Sequence, residues 1–284
     1  MLVIQTVSGL QKTILPLRNE GKKIGFVPTM GALHEGHLSL VKKCKEENGI
    51  CVVSVFVNPT QFNNKEDLEK YPRNVEKDSE LLKNTGADVL FVPSVEEIYP
   101  EPDTRQFDFG QLDKVMEGKF RPGHFNGVAQ VVSRLFDIVK PDRAYFGEKD
   151  FQQLAIIRQM VRQLSIPVEI VPMSIKREES GLAMSSRNQR LTEKQKADAA
   201  NIYKILTKSK TLPLDRLVAE TMNYVVSNIN QSDSLDVEYF DIVDGDTLQT
   251  INDWSDTKYA VGCIAVFCGE VRLIDNITYF NNKD

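Results

Sequence analysis

The sequence predicts an α/β fold, in which helices cover both faces of a parallel sheet, followed by a smaller C-terminal α+β unit. The first observation is the run ICVVSVFV at 50–57, which is apolar at all but one position. A continuous run of this kind is typical of a strand that is buried on both faces. The second is the alternation of such strands with helical patterns up to residue 171. The third is a change after residue 190 to helices followed by strands.

Apolar periodicity assigns the elements of the alternating part. Helical patterns lie at 3–20, 33–47, 75–85, 128–139 and 151–164, and strands lie at 24–27, 50–57, 89–92, 142–146 and 168–171. The strands at 24–27 and 89–92 each stop at a proline, which cannot donate to a ladder. We expect the polar segment 63–74 to form a loop or a short helix, and 99–125 to run over the sheet edge.

The last third of the chain has a different order of elements. Helical patterns at 193–208 and 214–229 precede strands at 235–243, 258–267 and 270–279. Cys268-Gly269, between the last two strands, predicts a hairpin turn. Because a chain of 284 residues is longer than the roughly 250 at which single cores stop growing, we expect two domains, at 1–177 and 178–284.

Composition argues against several classes of protein. The formal net charge is −5, whereas nucleic-acid-binding domains usually carry a basic face, so we expect no nucleic-acid partner. The longest apolar run is far shorter than the roughly 20 residues of a membrane helix, so we expect no membrane span. The sequence has no C-x-x-C pair and no secretory signal pattern, and we therefore expect four reduced, buried cysteines in a cytoplasmic protein.

The stretch FVPTMGALHEGH at 26–37 combines a strand, a tight turn and a helix start. The first N–H groups of a helix lack partners within it, so an anion placed there gains hydrogen bonds and a favourable field. Gly31 and Gly36 would let a ligand approach the backbone closely. His34 and His37 are three residues apart in the predicted helix, so they lie on one helical face and can contact the same phosphate.

Histidine usage supports a functional interpretation of this stretch. H-x-G-H is a short pattern, and a histidine on a helix is more often a structural residue. The chain has only three histidines, however, and two of them lie here. The third, His124, follows Arg121 in RPGHF just before a strong amphipathic helix. These two side chains either contact a further anion or have a structural role at the start of that helix.

Polar side chains follow two other strands at their carboxyl ends, where open α/β sheets bind ligands. Asn58 and Gln61 come after the longest apolar run, as ligand candidates or as turn formers. Lys149 and Asp150 come after the fourth predicted strand, with Gln153 about one turn further along. Lysine can place a point charge on a phosphate. Asp150 either bonds a ribose hydroxyl or caps a helix.

The polar segment KREESGLAMSSRN at 176–188 follows the last strand of the alternating part. Ser185, Ser186 and Arg187 place two hydroxyls and a guanidinium in sequence, with Gly181 as a hinge. Such a set would form a flexible clip over a triphosphate. The same letters also describe an ordinary turn before a helix, so the pattern leaves both interpretations open.

Five motifs in order resemble one family. PTMGALHEGH, FVNPTQF, RPGHF, YFGEKDFQQ and GLAMSSRN look like the pantothenate synthetases, the pantoate–β-alanine ligase family of the H-x-G-H nucleotidyltransferase superfamily. The match is dense over 26–190, and beyond it rests on chain length and order. The resemblance implies a Rossmann-like, doubly wound parallel sheet in the first domain and a lid role for the second.

The resemblance also implies a two-step reaction. ATP and pantoate would give an enzyme-bound pantoyl adenylate and pyrophosphate. β-Alanine would then attack the adenylate and release pantothenate and AMP. Mg²⁺ is implied as the counterion of ATP, with its protein ligands left open, and a homodimer is implied as the assembly.

Functional residues of the family carry over onto the matching positions of this chain. ATP would be bound by Met30, Gly31, Ala32, Leu33, His34, Glu35, Gly36, His37, Gly147, Glu148, Lys149, Asp150, Lys176, Met184, Ser185, Ser186 and Arg187. Catalysis would involve His37, usually given the acid role, with His34, Lys149, Ser185, Ser186 and Arg187. The substrate would be bound by Gln61, Gln153 and Asn58, with Gln61 also near the β-alanine site. One departure is Ser180, where members often have an acidic residue.

Two rival functions fit parts of the pattern. A different adenylyltransferase of the superfamily would move AMP onto a phosphorylated acceptor, but its pocket should carry more Arg and Lys than the amide pair Gln61 and Gln153 offers. A nucleotide-binding regulatory module would keep the glycine-rich turns, but it needs neither both imidazoles nor a Ser-Ser-Arg clip. No Ser-His-Asp or Cys-His nucleophile pattern is evident, so positioning and charge stabilisation would supply the rate.

Overall fold

The structure is a computed structural model, and it describes residues 1–63, 65–213 and 216–282. The chain divides into two compact units. Unit 1 comprises Met1–Phe109, Arg121–Glu148 and Gln153–Ser174, and unit 2 comprises Gly110–Phe120, Lys149–Gln152 and the chain from Ile175 onward. The start of the helix predicted at 214–229 lies outside the described residues. Within the described part of the chain, no helix is long and apolar enough to cross a membrane.

Unit 1 is built on a six-stranded parallel sheet. The strands are β1 Leu2–Ile4, β2 Ile24–Thr29, β3 Ile50–Val55, β4 Val89–Phe91, β5 Arg143–Gly147 and β6 Glu169–Met173. The helices in this part of the chain are α1 Val7–Asn19, α2 Glu35–Glu47, α3 Lys65–Glu69, α4 Val75–Leu82, α5 Val95–Ile98, α6 Met116–Phe120, α7 His124–Val139 and α8 Phe151–Gln163. Of these, α6 and the first two residues of α8 belong to unit 2.

The strand order is β1-β4-β3-β2-β5-β6, and every pair is parallel. From β2 the chain moves outward to β3 and β4 on one side, and later to β5 and β6 on the other. The junction of β2 and β5 is therefore the topological switch point, where open α/β sheets bind their ligands. The predicted doubly wound sheet is confirmed.

Neighbouring residues of β2 face opposite layers of the fold. Val27 packs in one core with Val41 and Cys44 of α2. Phe26 packs on the other side, edge to face with Phe136 of α7, and the ring centroids are 6.3 Å apart. Helices therefore cover both faces of the sheet, which accounts for the nearly unbroken apolar runs of its central strands.

Two predicted boundaries near the start of the chain, one of a strand and one of a helix, were wrong. β2 was expected to stop at Pro28 but continues to Thr29. The Thr29 carbonyl accepts a bond from Phe56 of the β3 segment, so Pro28 faces the β5 side. Pairing to β5 ends at Phe26, and no N–H is needed at Pro28. The helix predicted from residue 3 begins only at Val7, because the short edge strand β1 precedes it.

Unit 2 contains a three-stranded antiparallel sheet. Its strands are β7 Leu235–Asp244, β8 Tyr259–Cys268 and β9 Val271–Asn281, and its longer helices are α9 Glu193–Lys210 and α10 Val218–Ile229. Gly269, with φ +57°, makes the predicted hairpin turn. Arg272 of β9 bonds both carboxylate oxygens of Glu117 at 2.9 and 2.7 Å and ties α6 to this sheet. All four cysteines of the chain are buried and unbridged, as expected.

Candidate active site

The turn after β2 is bonded to the neighbouring strand and to itself. The Thr29 hydroxyl donates to the carbonyl of Ser54 at 2.7 Å, and its oxygen accepts from the Gly31 N–H at 3.2 Å. Gly31 has φ +83°, and Ala32 has φ +50°. A left-handed conformation costs a residue other than glycine about 1–2 kcal/mol, so the surroundings of Ala32 must stabilise it.

A buried carboxylate provides that stabilisation. Asp78 of α4 is only 2% exposed; its Oδ1 accepts from the Leu33 N–H at 2.8 Å and its Oδ2 from the Ala32 N–H at 3.0 Å. Burial raises the pKa of Asp78, and the bonds from Leu33 and Ala32 partly oppose that rise. Contrary to expectation, the amides of Ala32 and Leu33 are therefore already bonded within the protein.

His34 precedes α2 instead of lying in its first turn, so the predicted start of this helix was wrong. It is the N-cap residue, with extended backbone, and its Nδ1 accepts from the Gly36 N–H at 3.1 Å. A ring nitrogen that accepts carries no proton, so neutral His34 holds its proton on Nε2, where it can be donated to a phosphate oxygen. The His37 ring is adjacent, with centroids 4.1 Å apart. Glu35 opens the helix.

A buried cluster of amide side chains lies beside the same turn. Asn58 donates to the Gln61 side-chain oxygen at 3.3 Å and to the Gly127 carbonyl at 3.1 Å. Gln61 donates to the sulfur of Met30 at 3.0 Å, which joins this cluster to the turn. Tyr99 donates to the Asn58 oxygen at 3.1 Å. Burial raises the pKa of Tyr99 to about 12, which keeps its hydroxyl a donor at ordinary pH.

His124 supports this cluster from helix α7. The helix begins at His124 itself, four residues earlier than predicted, and the imidazole is buried. Its Nδ1 lies 2.8 Å from the carbonyl oxygen of Gln61, which can only accept, so Nδ1 is the donor. Of the two interpretations left open for this histidine, the structure therefore favours the structural one.

Gly127 brings the backbone of α7 against the same segment. A methyl group at Gly127 would lie 2.5 Å from the carbonyl oxygen of Thr60 and 2.8 Å from the Cα of Gln61. Contacts under about 3 Å are repulsive, so only glycine allows this approach. Helix α7 therefore sets the position of Gln61 through both His124 and Gly127.

The loop after β5 carries the second predicted group. In unit 1, the Glu148 N–H donates to the Met173 carbonyl at 2.8 Å, and a methyl group at Gly147 would meet nothing within 4 Å. Gln153 lies half-buried in the first turn of α8. Open space at Gly147 is compatible with a ligand lying against the backbone.

Lys149 and Asp150 belong to unit 2. The Lys149 ammonium lies 3.6 Å from the Asp150 carboxylate. The Lys149 carbonyl accepts from the amide of Asn276 in β9 at 3.1 Å, which fixes the backbone here. Asp150 is thus close enough to Lys149 to compensate part of its charge when no phosphate is bound.

The segment 176–188 is anchored by an arginine. Arg177 makes two bonds to the carboxylate of Asp275, at 2.7 and 2.9 Å, and one to the Gly181 carbonyl at 3.1 Å. Its guanidinium also stacks 3.6 Å from the centre of the Tyr203 ring. Lys176 is exposed, and its carbonyl accepts from the Met184 N–H at 3.0 Å. The two arms of the segment therefore pair with each other at its base.

The Ser-Ser-Arg group forms a helical turn. Ser185 caps the short 3₁₀ helix Ser186–Arg190, and its Oγ accepts from the Arg187 N–H at 3.2 Å. A hydroxyl that accepts here still has its own proton to donate to a phosphate. Ser186 is buried, and Arg187 is half-buried. The turn and the ligand interpretations of Ser185 are therefore compatible.

Unit 2 contains a small cavity of about 10 Å³, room for about one water molecule, that brings two predicted groups together. It is lined by Lys149, Leu182, Ala183, Ser185, Asn188, Ile202, Tyr203, Leu273, Ile274 and Asp275. The ammonium of Lys149 and the hydroxyl of Ser185 thus border one space, although 36 residues separate them in sequence. Both groups can bond phosphate oxygens, although the cavity itself is too small to enclose a phosphate.

Sequence reasoning missed the residues that hold this machinery in place. The sequence places Asp78 in a predicted helix and Tyr99 at the start of the segment predicted to run over the sheet edge. Apart from the acidic side chain of Asp78, neither position carries a signal of its role. Arg177 and Asp275 are almost a hundred residues apart. Each acts through a long-range contact, which the local spacing of residues does not encode.

Comparison with known proteins agrees with the geometry. The family model described as Pantoate-beta-alanine ligase matches residues 2–278. Curated pantothenate synthetases from Bacteroides thetaiotaomicron and Phocaeicola vulgatus are 61% and 62% identical over 279 and 280 residues, covering 98% of this chain and 99% of each relative.

Solved structures extend the agreement to the fold. The crystal structure of pantothenate synthetase from Thermus thermophilus is 44% identical, with a TM-score of 0.92 over 99% of this chain and 100% of that one. A pantoate-beta-alanine ligase from Francisella tularensis, complexed with "Beta-gamma ATP" and β-alanine, is 38% identical, with a TM-score of 0.82 and 98% coverage of both chains. On these grounds the chain belongs to the pantoate–β-alanine ligase family.

Proposed function

We propose that this enzyme joins pantoate to β-alanine through a pantoyl adenylate, with ATP as the second substrate. A carboxylate oxygen of pantoate attacks the α-phosphorus of ATP, and the bond from that phosphorus to the bridging oxygen breaks and releases pyrophosphate. The amine of β-alanine then attacks the acyl carbon. The bond to the phosphate oxygen breaks, AMP leaves, and the amine loses a proton as the amide forms.

One observation carries this proposal. The adjacent rings of His34 and His37 lie after β2 at the switch point of the sheet, and Met30 of the same turn is bonded to Gln61. A nucleotide site and an amide-lined pocket for a hydroxy acid are then neighbours, as transfer of AMP to a carboxylate requires. Membership of the family and the Francisella relative with "Beta-gamma ATP" and β-alanine support the choice of substrates.

The residues divide into three roles in this proposal. His34 and His37 bind the phosphates, and His37 stabilises the charge that develops as the α-phosphorus is attacked. Gln61, Gln153 and Asn58 hold pantoate, and Gln61 also contacts β-alanine. The remaining ATP contacts come from Met30–Gly36, Gly147–Asp150, Lys176 and Met184–Arg187, with Lys149, Ser185, Ser186 and Arg187 on the triphosphate.

Mg²⁺ enters the proposal as the counterion of ATP. In the ranges 1–63, 65–213 and 216–282, no group of three or more His, Cys, Asp or Glu side chains is arranged to hold a metal. The proposal assumes that Mg²⁺ binds as it commonly does with ATP, mostly through substrate phosphates and water. When bound, the ion would supply neutralisation of the phosphate charge.

Three further parts of the proposal concern the whole protein. Residues 1–177 would bind ATP and pantoate, and 178–284 would act as a lid. Excluding water matters here because an acyl adenylate hydrolyses readily. The enzyme would act in the cytoplasm, as a homodimer.

Exchange of labelled pyrophosphate into ATP tests this function. With ATP and Mg²⁺, the purified protein should exchange label only when pantoate is present. Label enters ATP by reversal of the adenylate step, and the adenylate cannot form without pantoate. Exchange with a phosphorylated acceptor instead would favour the rival adenylyltransferase, and ATP binding without exchange would favour the regulatory module. His37→Ala should fold normally but slow the exchange by orders of magnitude, and a rate near that of wild type would remove His37 from the mechanism.

A further inference from the structure

Among the described residues, Asp78 is the buried carboxylate that bonds the candidate nucleotide turn. It lies in the first turn of α4, 45 residues from Leu33 in sequence, and it contributes no group to the proposed reaction. Burying a carboxylate is unfavourable unless strong hydrogen bonds compensate it. Here the compensation comes from the backbone N–H groups of Ala32 and Leu33.

The geometry of the turn shows what this carboxylate does. The tight turn at Gly31 and Ala32, both with positive φ, directs the N–H groups of Ala32 and Leu33 toward one carboxylate, and successive N–H groups in a turn form an anion-binding concavity. In many nucleotide-binding proteins such a concavity takes a phosphate. In this chain it takes the carboxylate of Asp78, so the backbone is held in the shape of an anion site before any nucleotide arrives.

Packing around Gly31 makes this arrangement specific. A methyl group at Gly31 would lie 2.9 Å from Asp78 Oδ2 and 2.9 Å from the Cγ1 of Val55. The carboxylate therefore sits directly beneath the turn with no room for another side chain. Since the next residue after Leu33 is His34, the N-cap of α2, the position of the turn also sets the position of the imidazole.

We infer that Asp78 is a positioning residue for the nucleotide site: its carboxylate replaces phosphate in the backbone concavity at Ala32 and Leu33 and directs the triphosphate onto the side chains of His34 and His37. That the ligand is a triphosphate rests on the proposed function. That Asp78 holds the turn in place does not, because it follows from the two hydrogen bonds alone.

The informative substitution is Asp78→Asn. Asparagine has nearly the same volume but only one acceptor oxygen, and its NH₂ group would face one of the two N–H donors. Asp142→Asn is the matched control, because Asp142 bonds the Ile24 N–H at 2.8 Å at the other end of β2, away from the turn. Asp78→Ala serves as a second variant that removes both acceptors.

Two measurements test the inference. Hydrogen exchange of the Ala32 and Leu33 amides, without substrates, should accelerate at least roughly tenfold in Asp78→Asn and not in Asp142→Asn. In the pyrophosphate exchange assay, Asp78→Asn should raise the KM for ATP roughly tenfold and leave the KM for pantoate within about twofold, whereas Asp142→Asn should change neither.

The outcomes separate the two proposals. Unchanged exchange of both amides in Asp78→Asn and Asp78→Ala would overturn the inference whatever the activity. A loss of stability equal to that of Asp142→Asn, with the KM for ATP unchanged, would also overturn it, because Asp78 would then be an ordinary structural residue. A wild-type protein that shows no pantoate-dependent exchange would contradict the proposed function, while the amide measurement would still decide the fixation of the turn.

Discussion

The Nδ1 atom of His124 lies 2.8 Å from the backbone carbonyl oxygen of Gln61. This bond joins the start of α7 to the 3₁₀ turn Pro59–Gln61, which carries the amide candidates of the pantoate site. In the proposed function, the third histidine of the chain therefore supports the substrate pocket through another residue. Its role can be separated from those of His34 and His37.

His124→Ala should weaken pantoate binding more than ATP binding. The substitution leaves the buried carbonyl of Gln61 without this donor, which costs about 1–3 kcal/mol, and a displaced Gln61 should raise the KM for pantoate roughly tenfold. His124→Asn is the control, because its amide nitrogen can occupy nearly the place of Nδ1. Steady-state exchange rates over both substrates provide the measurement. An equal rise in both KM values for His124→Ala would contradict a role through Gln61.

Gly127→Ala should disturb the same turn by repulsion. Its methyl group would meet the backbone of Thr60 and Gln61, and overpacking of this kind typically costs about 1–3 kcal/mol of unfolding free energy. Thermal unfolding and the KM for pantoate measure the two effects. At Gly49, in contrast, an added methyl would lie 3.3 Å from the Cβ of Lys22, at the opposite end of β3 from Gln61, so Gly49→Ala should leave the KM for pantoate unchanged whatever its effect on stability. If Gly127→Ala kept both the thermal stability and the KM for pantoate of the wild type, α7 would have shifted to accept the methyl group without moving the turn.

Substitutions of His34 should separate its two roles. His34→Ala removes the N-cap of α2 as well as the imidazole, and should lose about 1 kcal/mol of stability along with ATP affinity. His34→Asn restores a capping side chain, so it should regain the stability while ATP affinity stays low. Urea unfolding and equilibrium ATP binding measure the two quantities. If His34→Asn also recovers ATP affinity, the histidine matters as a cap and not as a phosphate ligand.

The pH dependence of Asp78→Asn should have a specific sign. Because burial raises the pKa of Asp78, the native state holds this proton more tightly than the unfolded state, and ionisation opposes folding as the pH rises above the usual range of an aspartic acid. Asparagine does not ionise. The stability of Asp78→Asn relative to wild type should therefore increase between about pH 4 and about pH 7. A decrease over that interval in urea unfolding would contradict the raised pKa.

The strands and the polar residues at their ends were predictable because their signals are local. Burial on both faces gives the apolar run that became β3, and strand ends carry the polar residues Asn58 and Lys149. The N-cap role of His34 was missed because capping preferences point to Ser, Thr, Asp and Asn. β1 was missed because three residues hold too little periodicity, and its side chains Leu2 and Val3 are mostly exposed.

The supporting residues were not predictable because their contacts span the chain. Asp78 could be assigned to a helix from its neighbours, but its bonds to Ala32 and Leu33 depend on where the sheet places α4. His124 lies 63 residues from its partner, Gln61. Spacing shows which groups can do chemistry, whereas the fold decides which other groups hold them there.

Carboxylates bond the backbone at both ends of β2, and this limits the insertions and deletions that the segment can accept. Asp142 bonds Ile24 where the strand begins, and Asp78 bonds Leu33 just after it ends. A segment fixed at both ends cannot slide past its neighbours, so an insertion or deletion within it cannot be absorbed by a shift of register. We therefore expect the length from Ile24 to Leu33 to be invariant among functional variants, even where individual side chains are exchanged.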